Sequence, residues 1–170
     1  MRAAILLLPL LLAACGLQPL YSAGAKGPVA NMLADVRVAP IEGQTGWLVR
    51  NALRDRLVAA QGGDGNGDRY RLDIKLEDTI TGFGVRSDDS VTRERRTLRA
   101  RYQLVDSGSG EVLLDATAAS DAGIDVVGSE FATIAAEQSA QERLAQAIAD
   151  QIVARLAVYA RRSAGAPPTP

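Results

Sequence analysis

This sequence predicts an α+β fold: a two-layer sandwich with two helices packed on one face of a four-stranded mixed or antiparallel sheet. Three segments carry that expectation. Tyr70 to Thr81 alternates apolar and polar residues with a period of two. Val91 to Val105 does the same, with Leu98, Ala100, Tyr102 and Leu104 on one face. Glu130 to Arg161 places Ile134, Gln138, Gln141, Leu144, Ile148, Ile152, Leu156 and Tyr159 at spacings of three and four, the period of a helix. Strands with one wet face beside a long amphipathic helix give a sheet covered on one side only.

The chain opens with Arg2, a short apolar run from Ala3 to Leu12, and then Leu12-Ala13-Ala14-Cys15-Gly16. A positive start, a short apolar stretch and small residues before a cleavage point make a secretory signal, assigned to residues 1–14. The run is too short to span a bilayer, which takes about twenty apolar residues. The cysteine at the cleavage point resembles the lipobox of bacterial lipoproteins. That resemblance implies that Cys15 becomes the mature N-terminus, carrying S-diacylglycerol and N-acyl chains, and several chains anchor firmly where one is marginal. Gly16 follows in place of the aspartate that favours inner-membrane retention, which points to the outer membrane. Residues 15–34, with Gly16, Pro19, Gly24, Gly27 and Pro28, read as the lipidated end and a flexible tether.

The domain is expected over residues 35–162. Asp35 to Ile41 reads as a short strand ending at Pro40, which lacks an N–H, and Gly43 to Gly46 as a turn. Trp47 to Ala60 reads as the first helix, with Val49, Leu53, Leu57 and Ala60 inward. The loop after it spaces Asp64, Asn66 and Asp68 like calcium ligands. Arg69 then stands where such a loop needs glycine, and Lys75 where it needs glutamate. In the strand from Tyr70, residues Leu72, Ile74, Leu76 and Ile80 share Tyr70's face, and Asp78 breaks the pattern. Ser107-Gly108-Ser109-Gly110 connects the second long strand to a third, Glu111 to Ala119. Residues 163–170, with three prolines, read as a frayed tail. The resulting order is β-α-β-β-β-α.

Composition removes whole classes of chemistry. There is no histidine and one cysteine, so a Ser-His-Asp triad, a catalytic thiol and a thiolate metal site are all absent. Asp88 and Asp89 are adjacent acids in a turn, not a preorganised pair, so no enzyme is expected. No cofactor or metal is implied. The chain carries 19 basic and 20 acidic residues; without Arg2 the mature part carries 18 and 20, a net charge of −2, which does not call for nucleic acid.

The dense basic cluster is Arg93, Arg95, Arg96, Arg99 and Arg101. Alternation puts Arg93, Arg95, Arg99 and Arg101 on the wet face. Arginine forks match phosphate or carboxylate in two-point contact, so this row could hold an anionic lipid headgroup. Cross-strand pairing with Asp73 and Glu77 explains the same residues without a ligand.

Cys15-Gly16-Leu17-Gln18-Pro19-Leu20-Tyr21 resembles the mature start of the LPS-assembly lipoprotein LptE family. Leu48-Val49-Arg50-Asn51-Ala52-Leu53-Arg54-Asp55-Arg56-Leu57 is similar to that family's first helix, and the element order matches its fold. The resemblance implies an outer-membrane lipoprotein that partners the LptD β-barrel as plug and assembly factor. It would act in the translocon that delivers lipopolysaccharide to the outer leaflet. Arg93, Arg95, Arg99 and Arg101 then become the candidates for lipopolysaccharide contact. An independent, periplasm-facing lipoprotein binding an anionic ligand is the alternative.

Overall fold

The computed structural model describes residues 27–61, 67–85, 91–126 and 129–165. Cys15, the Leu17–Tyr21 motif, Asp64, Asn66, Asp88 and Asp89 lie outside them. Seven elements form a single two-layer unit: α1 (Pro28–Ala34), β1 (Val36–Val38), α2 (Gly43–Gln61), β2 (Tyr70–Val85), β3 (Val91–Asp106), β4 (Val112–Asp125) and α3 (Glu130–Gly165). The sheet order is β1-β2-β3-β4, with β1 parallel to β2 and the other pairs antiparallel. The α+β expectation therefore holds, including the mixed sheet.

The core forms where the even-numbered residues of the long strands meet the helices. Leu72 and Ile74 of β2, Leu98, Ala100, Tyr102 and Leu104 of β3, and Ala118 and Ile124 of β4 are all buried. Against them α2 sets Val49, Leu53 and Leu57, and α3 sets Leu144, Ile148, Ile152 and Leu156. Ala140, Ala145, Ala149, Ala157 and Ala160 are buried along α3. Their missing side-chain volume lets this helix lie close to its neighbours. Arg56 of α2 bonds Asp150 of α3 on the outer side of the helix layer.

Several boundaries differ from the sequence expectation: β1 is only Val36–Val38 of the expected Asp35–Ile41, and β4 runs to Asp125 instead of Ala119. The tether does not run to residue 34: Pro28–Ala34 is a helix, with Pro28 in its first turn and Val29, Ala30 and Leu33 buried in the same core. Proline suits that place because the first-turn N–H has no helical partner anyway. Helix α2 starts at Gly43, so the expected Gly43–Gly46 turn is its first turn. A β-carbon on Gly46 would sit 2.7 Å from the Ile41 carbonyl oxygen, so only glycine permits this approach. Helix α3 continues to Gly165, beyond the expected start of the tail.

The β3–β4 turn is built by Asp106. Its carboxylate accepts from the amides of Gly108 (2.9 Å) and Ser109 (3.0 Å). Gly110 supplies the positive φ of 74° that closes it.

If α1 belongs to the cooperative domain, Leu33→Ala should cost about 2–4 kcal/mol, the usual range for a fully buried leucine. Urea unfolding of the purified domain reads this as a lower midpoint at unchanged slope. A loss below about 0.5 kcal/mol, the level of an ordinary surface change, would mean that α1 is only loosely docked.

Candidate functional site

The second face of the sheet carries no helix, and its odd-numbered residues make an exposed charged surface. All four arginines expected on that face, Arg93, Arg95, Arg99 and Arg101, are found there. Arg93 pairs with Asp125 at 3.0 Å. Arg95 lies 3.9 Å from Asp121, with its guanidinium 5.5 Å above the Phe83 ring. Arg101 forks onto Asp115 at 2.9 Å, and Gln103 donates to the same carboxylate at 2.9 Å. Arg99 is exposed and makes no ion pair among the described residues.

The pairing partners are not the ones expected from sequence. Asp73 binds Arg71, two residues away on its own strand, at 2.9 Å. Glu77 is directly opposite Arg99 in the register, yet no ion pair forms between them. The acids that hold the row, Asp115, Asp121 and Asp125, come from β4. Their odd positions were visible in the sequence, but the expected third strand stopped at Ala119 and so excluded two of them.

Sequence reasoning also missed Lys75. It sits opposite Arg101 in the register and has no ion pair among the described residues. Two like charges facing each other across strands repel. With Asp73, Arg101 and Gln103, Lys75 lines a shallow depression of about 190 Å³. Lys75 and Arg99 are thus two cations of this face left without a close carboxylate. Among the described residues no group of acids, cysteines or histidines could hold a metal ion.

Arg96 points the other way and explains the break in the β2 pattern. It binds Asp78 through two bonds of 2.9 and 2.7 Å. Asp78 also accepts from Thr45 of α2 at 2.8 Å, and Thr45 accepts from buried Gln141 of α3 at 2.6 Å. Arg96 further donates to the Glu137 carbonyl at 3.3 Å. One carboxylate therefore ties both main helices to β2 and β3. The two side chains are only 12% (Arg96) and 20% (Asp78) exposed. The Arg96 hydrogen bonds hold the Asp78 carboxyl below the usual carboxylate range, against burial, with Thr45 adding to the effect. Asp115 is lowered likewise by Arg101 and then Gln103.

The geometry can be set beside known proteins. The family model described as LptE, lipopolysaccharide-assembly, matches residues 33–156. Among solved structures, a protein of Caulobacter crescentus CB15 assigned as a lipoprotein is 25% identical, with a TM-score of 0.64 over 84% of this chain and 100% of that one. A minor lipoprotein from Acinetobacter baumannii is 16% identical, with a TM-score of 0.57 over 77% of this chain and 96% of that one. Rare lipoprotein B from Shewanella oneidensis is 14% identical, at 0.55 over 76% and 97%. No curated protein matches the chain.

Asp78 gives a pH prediction. Its folded pKa is depressed, so its contribution is present above the unfolded value of about 3.9 and is lost as pH falls through the folded value. Asp78→Asn should cost about 2 kcal/mol near neutral pH, as for a hydrogen bond to a charged group. The gap between wild type and variant should then narrow on acidification to pH 3. Urea midpoints at both pH values measure it. A gap that is constant with pH would mean that the carboxylate charge contributes nothing.

Proposed function

This chain belongs to the LptE family of lipopolysaccharide-assembly proteins, and from that membership we propose that it is a non-enzymatic lipoprotein of the outer membrane. In this reading Cys15 carries the lipid anchor at the periplasmic face. The domain partners the LptD β-barrel as plug and assembly factor, in the translocon that delivers lipopolysaccharide to the outer leaflet. The family match over most of the domain carries the reading.

Physical features agree with it. Among the described residues no helix is long and apolar enough to cross a membrane, so attachment through a lipid is compatible with the fold. The open face is polar and charged, which suits the polar interior of a large barrel. Lipopolysaccharide presents phosphates, and guanidinium forks suit phosphates. Within the row Arg93, Arg95, Arg99 and Arg101, the member without an ion pair is the strongest candidate for that contact.

The test of the partner is a mild-detergent pull-down of the tagged, lipidated protein from its native outer membrane. A large β-barrel protein in near-equimolar yield is expected. Recovery of the lipoprotein alone, while other outer-membrane complexes survive, would overturn the reading. Cys15→Ala should leave the domain folded and deplete it from the outer-membrane fraction; normal fractionation would remove the anchor from the account. Arg99→Glu should weaken lipopolysaccharide binding by about three- to tenfold, roughly 0.7–1.4 kcal/mol, with the urea midpoint unchanged. Equal binding would remove Arg99 from the proposed contact.

A further inference from the structure

The two edges of the sheet are not alike, and the difference points to a docking site. The hydrogen-bond pattern gives the direction of each group. The amide of Tyr70 donates to the Asp35 carbonyl at 2.9 Å, and the Leu72 carbonyl accepts from Ala39 at 3.0 Å. Even-numbered residues of β2 thus aim their backbone groups away from β3, while odd-numbered ones bond to it. Strand β1 covers this edge only from Tyr70 to Leu72. Pro40 then removes a donor, and the chain turns away into α2.

From Ile74 to Gly82 the outward N–H and C=O groups have no backbone partner among the described residues. This stretch is about 27 Å long at roughly 3.4 Å per residue. It carries few of the devices that blunt an exposed edge: among its nine residues there is no proline, and the one inward charge, Asp78, is neutralised by Arg96. Along it lie Ile80, 45% exposed, and a groove of about 470 Å³ lined by Pro40, Ile41, Ile74 and Leu76, with Glu42 and Lys75 as its charged members. The opposite edge is better guarded. On β4 the outward residues are odd-numbered; Gln151 of α3 donates to the Ala119 carbonyl at 3.2 Å, and Asp115 and Asp121 stand along the strand.

We propose that an extended segment of the partner barrel protein adds to β2 between Ile74 and Gly82 as a further strand, with apolar side chains over Ile80 and the Pro40–Leu76 groove. Alternating donors and acceptors along an edge are matched by another extended polypeptide backbone, which identifies the occupant's chemistry. The strands of a closed barrel have no free edge, so the segment is a loop or terminal extension of that partner. The inference rests on the barrel-partner reading and names the surface that would serve it.

The test uses full-length lipidated protein co-expressed with the barrel. A photo-crosslinking amino acid replaces Thr79, Thr81 or, on the opposite edge, Thr117. Adducts to the barrel at residues 79 and 81 but not 117 are expected. In parallel, Ile80→Pro removes one outward N–H and leaves every β2–β3 bond intact. It should lower the yield of co-purified barrel at least tenfold, with the urea midpoint of the purified domain nearly unchanged. If that variant does not fold, the adducts decide alone. Barrel adducts only at residue 117, adducts to a second copy of this chain, or full barrel yield with a folded Ile80→Pro protein would each overturn the proposal. A wild-type protein that brings down no barrel would overturn the partner reading itself, and this inference with it.

Discussion

Everything in this molecule depends on the parity of β3. Its even residues Leu98, Ala100, Tyr102 and Leu104 are buried, and its odd residues Arg93, Arg95, Arg99 and Arg101 face solvent. A slip of one position against either neighbour would exchange the faces, placing four arginines under the helices. Burying an unpaired charge costs several kcal/mol, far more than any local gain a slipped register could offer. The register is continuous from Tyr70↔Asp106 to Phe83↔Arg93, and a single irregularity on the β4 side, at Leu104/Val105, is taken up next to the turn. Strong register in turn fixes which backbone groups β2 presents at its edge and which acids of β4 meet the arginines.

The Asp78–Arg96 pair breaks that parity, as do half-buried Glu94 and buried Val105, and its place accounts for it. Arg96 is even-numbered and points toward the helices, beside the first turn of α2. Its charge is tolerated because Asp78 and the Glu137 carbonyl meet it with defined geometry, and Thr45 donates to the same Asp78 carboxylate. A methyl-bearing residue at Asp78 would strand Arg96, which is why the break in the β2 pattern and the basic residue at position 96 are one feature. The network sits where the sandwich changes character. Toward β1 the core is wholly apolar, and beyond it Ile80 and Ile134 are 45% and 44% exposed.

The long periodic elements were legible in the sequence because each carries many repeats of its own pattern: ten or more residues of alternation in β2 and β3, eight stripe positions in α3. What was not legible has specific causes. Helix α1 has seven residues, Pro28 included, behind Gly27, too few for a periodic signal, although Val29 and Leu33 at a spacing of four, with proline in the first turn, were there to be read. Its stability comes from docking on α2 and α3, a tertiary effect that no local window contains. The acid partners of the arginine row were misassigned because β3 pairs on both edges, and Asp121 and Asp125 lie beyond the expected end of the third strand. Lys75 stands outside the dense basic cluster of the sequence, and its interest lies in standing opposite Arg101 in the register, which no local window contains.

The open face then has an unusual balance for a surface proposed to meet a polyanion. Its arginines are held extended in a row, yet three of the four are already near carboxylates of β4. Exposed pairs of this kind contribute only about 0–1 kcal/mol each, so an arriving phosphate exchanges with aspartate at small cost. The aspartates keep the guanidiniums oriented before any ligand arrives, which lowers the entropy lost on binding. They also keep the face close to neutral, so that weakly charged solutes gain little from it. A multiply phosphorylated ligand differs, because it displaces several aspartates together and gains a two-point contact at each arginine. On that reading Arg99 and Lys75, which make no ion pair among the described residues, would offer the first contact from which such an exchange can spread along the strand. On the proposed reading, selectivity for dense negative charge would follow from placing the acids on β4 rather than from a large net positive field.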